Sequence, residues 1–167
     1  MSEKPDLSHV APDGSPRMVD VGGKPPSKRR ATAEAWVSVG ARTAGELGQS
    51  GGLAKGNVLE TARLAGILAA KRTAELIPMC HPIPIDSIEV DAELTNERVR
   101  ILARVQSEAK TGVEMEAMTA AAVAALTVYD MVKSADKGVE IGPVRLLEKS
   151  GGKSGHWQRK ERGHAAR

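Results

Sequence analysis

The sequence of this protein predicts an α+β fold in which helices cover one face of an antiparallel sheet. Two stretches, residues 57–76 and 112–137, carry apolar or small side chains at helical spacing. Between them, residues 88–105 alternate apolar and charged side chains on both sides of a turn, which is typical of a β-hairpin with one face in water. Strand-like segments precede the first helix and follow the second.

Size and composition limit the classes of protein that this chain can represent. A length of 167 residues suits one domain with a hydrophobic core, and with 2% aromatic residues and no Phe that core must be aliphatic and rich in alanine. The net charge of +3 comes from basic ends around a slightly acidic body, unlike a nucleic-acid-binding domain with one basic face. There is no run of 18 apolar residues and only one cysteine, so we expect a cytoplasmic protein that does not enter a membrane.

The first strand is predicted at Ala35–Val39, after a segment rich in Pro, Gly and charge that we expect to be largely irregular. Glycines recur from Gly40 to Asn57, which favours a flexible connection that contains Lys55. Asn57 is then a plausible N-cap for the first long helix, and Pro78 ends it. Three prolines within residues 78–84 favour a rigid loop that displays Cys80 and His81.

The second half of the chain supplies a hairpin, a helix and a last strand. Acidic residues on the first hairpin strand face arginines on the second, so ion pairs can form across its polar face. The last strand, Val139–Leu147, is interrupted by Pro143 and is therefore expected to be an edge or bent strand. The order β-α-β-β-α-β is the ferredoxin-like arrangement, with two helices on one face of the sheet.

The second helix has apolar residues on two sides. One stripe runs from Ala117 to Ala135, while Met115 and Leu126 share the other side with Asp130 and Lys133. A helix that is apolar on both sides is normally buried on both, so a half-buried Asp/Lys pair and self-association are predicted. The alternative is a surface ion pair worth about 0.2–0.5 kcal/mol.

Three further motifs have a chemical and a structural interpretation. Glu114 and Glu116 suit proton shuttling or recognition of an amine, or they complement the dipole at the start of a helix. His81 is either an acid/base group or a packed histidine, and no metal site is expected because a second cysteine is lacking. The glycine-rich segment with Lys149 and Lys153 departs from a P-loop but could bind an anion, unless it is a basic tail.

Six motifs follow one another along the chain: KGNV at 55–58, ARLAG at 62–66, LIPMCHP at 76–82, KTGVEMEA at 110–117, YDMVK at 129–133 and IGPVRLLEKSGGKSG at 141–155. In this order they resemble the cyclic pyranopterin monophosphate synthase family, the molybdenum cofactor biosynthesis accessory protein C family. The resemblance covers the chain from about Met18 to Gly155, which predicts a flexible arm at 1–17, one domain at 18–155 and a flexible basic tail at 156–167.

The resemblance implies a lyase that converts 3′,8-cyclo-7,8-dihydro-GTP to cyclic pyranopterin monophosphate and releases diphosphate. It implies a hexamer built as a trimer of dimers with sites at subunit interfaces. It implies no firm cofactor and leaves open whether Mg²⁺ accompanies the triphosphate. Asp130 and Lys133 would be the acid/base residues, with Lys133 the principal one. The substrate-binding residues would be Lys24, Lys55, Met79, Cys80, His81, Glu114, Met115, Glu116 and Lys149.

Two other functions stay open at this point. A ferredoxin-like oligomer could bind an anionic nucleotide as a regulator, with the same lysines and no turnover. RNA binding is the third class. Sheets of this fold that bind RNA stack bases on aromatic side chains of their strands, and in this sequence only Trp36 could do so.

Overall fold

The computed structural model describes residues 10–50, 56–153 and 155–160. It has an antiparallel sheet in the order β2-β3-β1-β5-β6, with β4 also paired to β1, and this confirms the predicted α+β, ferredoxin-like fold. The elements are β1 Ser27–Ser38, α1 Gly40–Ser50, α2 Val58–Lys71, α3 Thr73–Leu76, β2 Ser87–Thr95, β3 Arg98–Ala109, α4 Glu114–Val132, β4 Glu140–Ile141, β5 Arg145–Ser150 and β6 Trp157–Gln158.

Strand β1 is the centre of the sheet and is longer than the sequence pattern predicts. It pairs with β3 over its whole length, from Ser27 opposite Ala109 to Ser38 opposite Arg98. Its start lies well before the predicted Ala35, in a charged segment that was expected to be irregular. Pairing with a long neighbouring strand outweighs the low strand preference of such residues.

Helix α1 replaces the flexible connection that was predicted after the first strand. Thr43, Ala44 and Leu47 are buried, so this glycine-containing segment gains apolar contacts that offset its poor helix propensity. The prediction for this segment was wrong as far as Ser50. Lys55 lies outside the described residues.

Helices α2 and α4 pack side by side on the sheet. The Asn57 side chain accepts a hydrogen bond from the Glu60 backbone N at 3.1 Å, which confirms the predicted N-cap. A Cβ atom placed on Gly66 would lie 3.0 Å from the Ala120 carbonyl oxygen, so the two helix backbones approach closely. By length and composition α4 could cross a membrane, but 56% of the apolar window is buried inside this fold, as in a core helix.

The face of the sheet away from the helices carries charge pairs. Glu34, in β1, is buried and is held by Arg100 at 3.0 Å and by Arg145 at 2.7 Å. Arg104 reaches Asp91 at 2.7 Å, which confirms the predicted pairing across the hairpin. These contacts let a sheet face without helices retain a buried carboxylate.

The last part of the chain forms three short strands. Pro143 separates β4 from β5, as the sequence predicts. Strand β6 then pairs with the outer side of β5, with Lys149 opposite Trp157. The predicted tail at 156–167 therefore contains two residues, Trp157 and Gln158, that pair with the sheet, while the proposed domain limits stay predictions.

Candidate active site

Two adjoining cavities lie beside the first turn of α4. They share Lys24, Thr111, Gly112 and Glu114 as lining residues, so they form two compartments of one cleft. We call the first, of about 270 Å³, the cationic cavity, and the second, of about 400 Å³, the carboxylate cavity. Together they are large enough for a small molecule with two chemically different ends.

The cationic cavity combines basic side chains from four parts of the chain. Among the described residues that line it, Glu114 supplies the single carboxylate, and the N-terminus of α4 adds the partial positive charge of its free backbone N–H groups. Such a surface favours a polyanion over a neutral or cationic ligand. The six basic residues are Lys24, Arg29, Arg30, Lys110, Lys149 and Lys153.

Arg29 and Lys110 fix the walls of the cationic cavity. The Arg29 guanidinium donates to the carbonyl oxygens of Ala109 at 3.4 Å and of Gly151 at 3.3 Å, and thus ties the glycine-rich segment to the sheet. Lys110 Nζ donates to the Gly22 carbonyl oxygen at 2.7 Å, which holds the N-terminal arm beside the cleft. These three hydrogen bonds explain how distant segments come to line one cavity.

Gly151 allows the chain to turn over Arg29. Its φ of +101° lies in the region that side chains rarely adopt, and a Cβ atom there would collide with the Lys28 carbonyl oxygen. The close approach of two backbones therefore requires glycine at this position.

The carboxylate cavity brings together the proline-rich loop and the start of α4. It is lined by Val19, Val21, Met79, Cys80, His81, Met115 and Glu116 in addition to the four shared residues. Glu116 is 4% exposed, and burial raises the pKa of its carboxyl, with a smaller contribution from Glu114. Burial, and secondarily the Glu116 carboxylate, raises the pKa of the Cys80 thiol, so a thiolate nucleophile is disfavoured.

Asp130 and Lys133 lie at the opposite end of α4. Lys133 Nζ is 2.6 Å from Asp130 Oδ1, and the two side chains are 52% and 66% exposed. The hydrogen bond to Asp130 raises the pKa of Lys133. In the isolated subunit this is a surface pair, contrary to the half-buried pair that the sequence predicts, because it lies on the side of α4 that is turned away from the buried residues Met131 and Val132.

The structure thus gathers most of the predicted substrate-binding residues and separates the predicted acid/base pair from them. Lys24, Met79, Cys80, His81, Glu114, Met115, Glu116 and Lys149 all line the cleft. Asp130 comes 16 positions after Glu114 in the sequence, which is about 24 Å along a helix. Neither member of the pair lines either cavity.

Sequence reasoning missed Arg29 and Lys110 as lining residues of the cationic cavity. Extending the period-two pattern of Ala31, Ala33 and Ala35 backwards would have placed Arg29 on the helix-facing side of β1. Lys110 follows directly after β3 and before α4, a position that faces the helix N-terminus. Both signals depend on the true start and end of a strand.

The fold and the cleft are those of a ferredoxin-like protein with a site suited to a small anionic molecule. Residues 18–152 match the profile of the MoaC family. The chain belongs to this family, and it is an enzyme of the kind that the family's curated members represent.

Three curated relatives that are similar along nearly their whole length are named cyclic pyranopterin monophosphate synthase. The protein from Thermomicrobium roseum is 53% identical, over 93% of this chain and 95% of the relative. The protein from Deinococcus radiodurans is 51% identical, over 96% and 94%. The protein from Bordetella avium is 54% identical, over 92% and 96%.

Proposed function

We propose that this chain converts 3′,8-cyclo-7,8-dihydro-GTP to cyclic pyranopterin monophosphate with release of diphosphate. Membership of the family supports a role in molybdenum cofactor biosynthesis and a small-molecule substrate. The observation that carries the proposal is the pair of adjoining cavities, one cationic and one lined by carboxylates, thiol and imidazole. A cyclised guanine nucleotide has a triphosphate at one end and a heterocycle with N–H groups at the other.

The triphosphate belongs in the cationic cavity. Six basic side chains and the N-terminus of α4 can offset its charge, and they can stabilise the diphosphate as it leaves. Mg²⁺ would be coordinated mainly by the phosphate oxygens of the substrate, so it would not need a dedicated set of protein ligands. The described residues contain no group of three or more His, Cys, Asp or Glu that could hold a metal ion by themselves.

The heterocycle belongs in the carboxylate cavity. Glu114 lies 2.9 Å from the Lys149 ammonium, and its carboxyl oxygens can also accept hydrogen bonds from amino and ring N–H groups. The buried Glu116 has a raised pKa and is therefore suited to carry a proton to or from the ring. His81 lines the same cavity and can serve in either capacity.

Asp130 and Lys133 would complete the cleft of another copy of the chain. About 24 Å of helix separates them from the cleft of their own subunit, so they cannot act on a substrate that is bound there. Leu126 is 57% exposed and Met115 is 39% exposed on α4, and a second copy would cover this apolar surface. We therefore keep the homohexamer, a trimer of dimers in the cytoplasm, as the proposed assembly.

In such an assembly Lys133 would be the principal general acid/base. Lys133 donates a hydrogen bond to Asp130, which raises the pKa of Lys133 and keeps it protonated as long as no partner subunit buries it. Burial would lower the pKa again and bring it closer to neutral pH. Asp130 would orient the ammonium group of Lys133 and adjust its pKa.

Product analysis with the cyclised nucleotide tests the proposal. Wild-type protein should release diphosphate and form the pyranopterin, while Lys133→Ala and Asp130→Asn should form little or none. Lys137→Ala, which removes a nearby exposed lysine, is the control and should retain activity. Binding of the nucleotide without diphosphate release by the wild type would contradict the proposal and favour a regulatory protein.

A further inference from the structure

Strand β5 contains a β-bulge just before Lys149. Ala33 of β1 pairs with Leu146, and its neighbour Thr32 pairs with Glu148, so Leu147 has no opposite residue in β1. A bulge of this kind bends a strand and redirects the side chains that follow it. The direction of Lys149, two residues further on, therefore depends on the geometry of the bulge.

Arg159 binds the carbonyl groups of the bulge from the outer side of the sheet. Its backbone N donates to the Leu147 carbonyl oxygen at 2.7 Å, and its Nε donates to the Leu146 carbonyl oxygen at 2.6 Å. The guanidinium also lies 5.7 Å from the centre of the Trp157 ring. One residue thus holds two consecutive carbonyls that a regular strand would not present together.

The same segment closes the loop that carries Lys153. Trp157 pairs with Lys149, and the Gly155 backbone N donates to the Gly152 carbonyl oxygen at 3.2 Å. Strand β6 is therefore attached to Lys149, and Gly155 to the turn beside Lys153, and both lysines line the cationic cavity. Arg159 lies beyond residues 18–152, the part of the chain that matches the family profile.

We propose that Arg159 is a positioning residue that sets the direction of Lys149 for binding the phosphate groups of the substrate. This inference rests on the proposed function of the cationic cavity. The Lys149 ammonium contacts Glu114 at 2.9 Å, so even a small rotation of β5 at the bulge would withdraw the charge from the junction of the two cavities.

The test is calorimetric binding of inorganic diphosphate to full-length variants. Arg159→Ala keeps the backbone hydrogen bond to Leu147 and loses only the side-chain contacts, and we expect the Kd to rise about tenfold. Lys160→Ala removes the same charge from the next, exposed position and should change the Kd by less than about twofold. An equal Kd for the two variants would overturn the proposal.

A double-mutant comparison of Arg159 with Lys149 distinguishes a positioning role of Arg159 from a general loss of structure. In a Lys149→Ala background, Arg159→Ala should weaken binding no further, and additive losses would overturn the proposal. Arg159→Lys, which can still donate to Leu146, should recover part of the affinity. Truncation after Gly155 removes all of β6 and should weaken diphosphate binding at least as much as Arg159→Ala.

The outcomes also separate this inference from the proposed function. If Lys149→Ala weakens diphosphate binding and Arg159→Ala does not, only the role of Arg159 fails. If the wild type does not bind diphosphate and Lys149→Ala changes nothing, the phosphate role of the cationic cavity fails and the role of Arg159 falls with it.

Discussion

The Lys149 ammonium and the Glu114 carboxylate form an ion pair of 2.9 Å that joins β5 to the first turn of α4. Both side chains are about one-third exposed, at 31% and 30%, so the pair is accessible to a ligand and only partly screened by water. It lies where the two cavities meet. A molecule that spans both compartments must therefore pass this pair.

Replacing Glu114 with Gln should impair substrate binding. The variant preserves the shape of the side chain but removes the charge that holds Lys149 and accepts hydrogen bonds from the heterocycle. We expect kcat/KM to fall at least about tenfold in a diphosphate-release assay. Glu60→Gln, at an exposed ion pair in the first turn of α2, is the matched control and should retain wild-type kcat/KM.

Gly151→Ala should destabilise the protein and weaken diphosphate binding. The alanine would have to keep a strained positive φ, and its Cβ would collide with a backbone carbonyl oxygen. We therefore expect the free energy of unfolding to fall by about 1–3 kcal/mol. Gly155→Ala offers a control in the same loop, with φ +63° and no described atom within 4 Å of the added Cβ. Equal losses in thermal unfolding for both variants would show that the contact with β1 is unimportant.

Subunits that are inactive for different reasons should rescue each other. Lys149→Ala damages the cleft and Lys133→Ala damages the distal pair, so a mixed assembly can contain sites with both lysines intact. After unfolding and refolding together in equal amounts, we expect about a quarter of wild-type activity, since one site in four would be complete. No recovery in assemblies that contain both variants, compared with each variant refolded alone, would mean that one subunit supplies both lysines.

The free energy of unfolding should decrease at acid pH because Glu34 becomes protonated. Its burial opposes ionisation, but hydrogen bonds from Arg145 and Arg100 outweigh burial and lower its pKa below the usual 4.5. The unfolded chain therefore takes up this proton first, and stability that is present above pH 4.5 is lost as the pH falls through the folded-state pKa.

Glu34→Gln should flatten this pH dependence in urea unfolding and lower the free energy of unfolding at pH 7 by about 1–3 kcal/mol. Glu93→Gln, at an exposed position on the same face of the sheet, should keep the wild-type slope. A wild-type slope in Glu34→Gln would disprove the assignment of this acid sensitivity to Glu34.

The parts of the fold that follow a regular period could be predicted from the sequence. The stripe from Ala117 to Met131, the alternation of β2 and β3, and the cap at Asn57 each reflect a local rule that the structure satisfies. The rigid loop at Cys80 follows from its prolines in the same way. These features include the proline-rich loop and the helix α4, which together line the carboxylate cavity.

The remainder depends on contacts between distant segments. Helix α1 is stabilised by burial of Leu47 rather than by its own propensity, and Arg29 lines the cavity because β3 extends β1 upstream. The bulge at Leu147 arises from two strands together and has no signature in one of them. Periodicity also overstates burial at Lys133, because it shows that α4 has a second apolar side but not whether the same subunit covers that side.

The length of α4 has a consequence for mixed populations of this protein. If the cleft of one copy meets the distal pair of another, each chain takes part in two sites. A chain that carries both Lys149→Ala and Lys133→Ala would then disable its own site and a neighbour's. Coexpressed with the wild type, it should act as a dominant inhibitor, with activity that falls as the square of the wild-type fraction rather than in proportion to it.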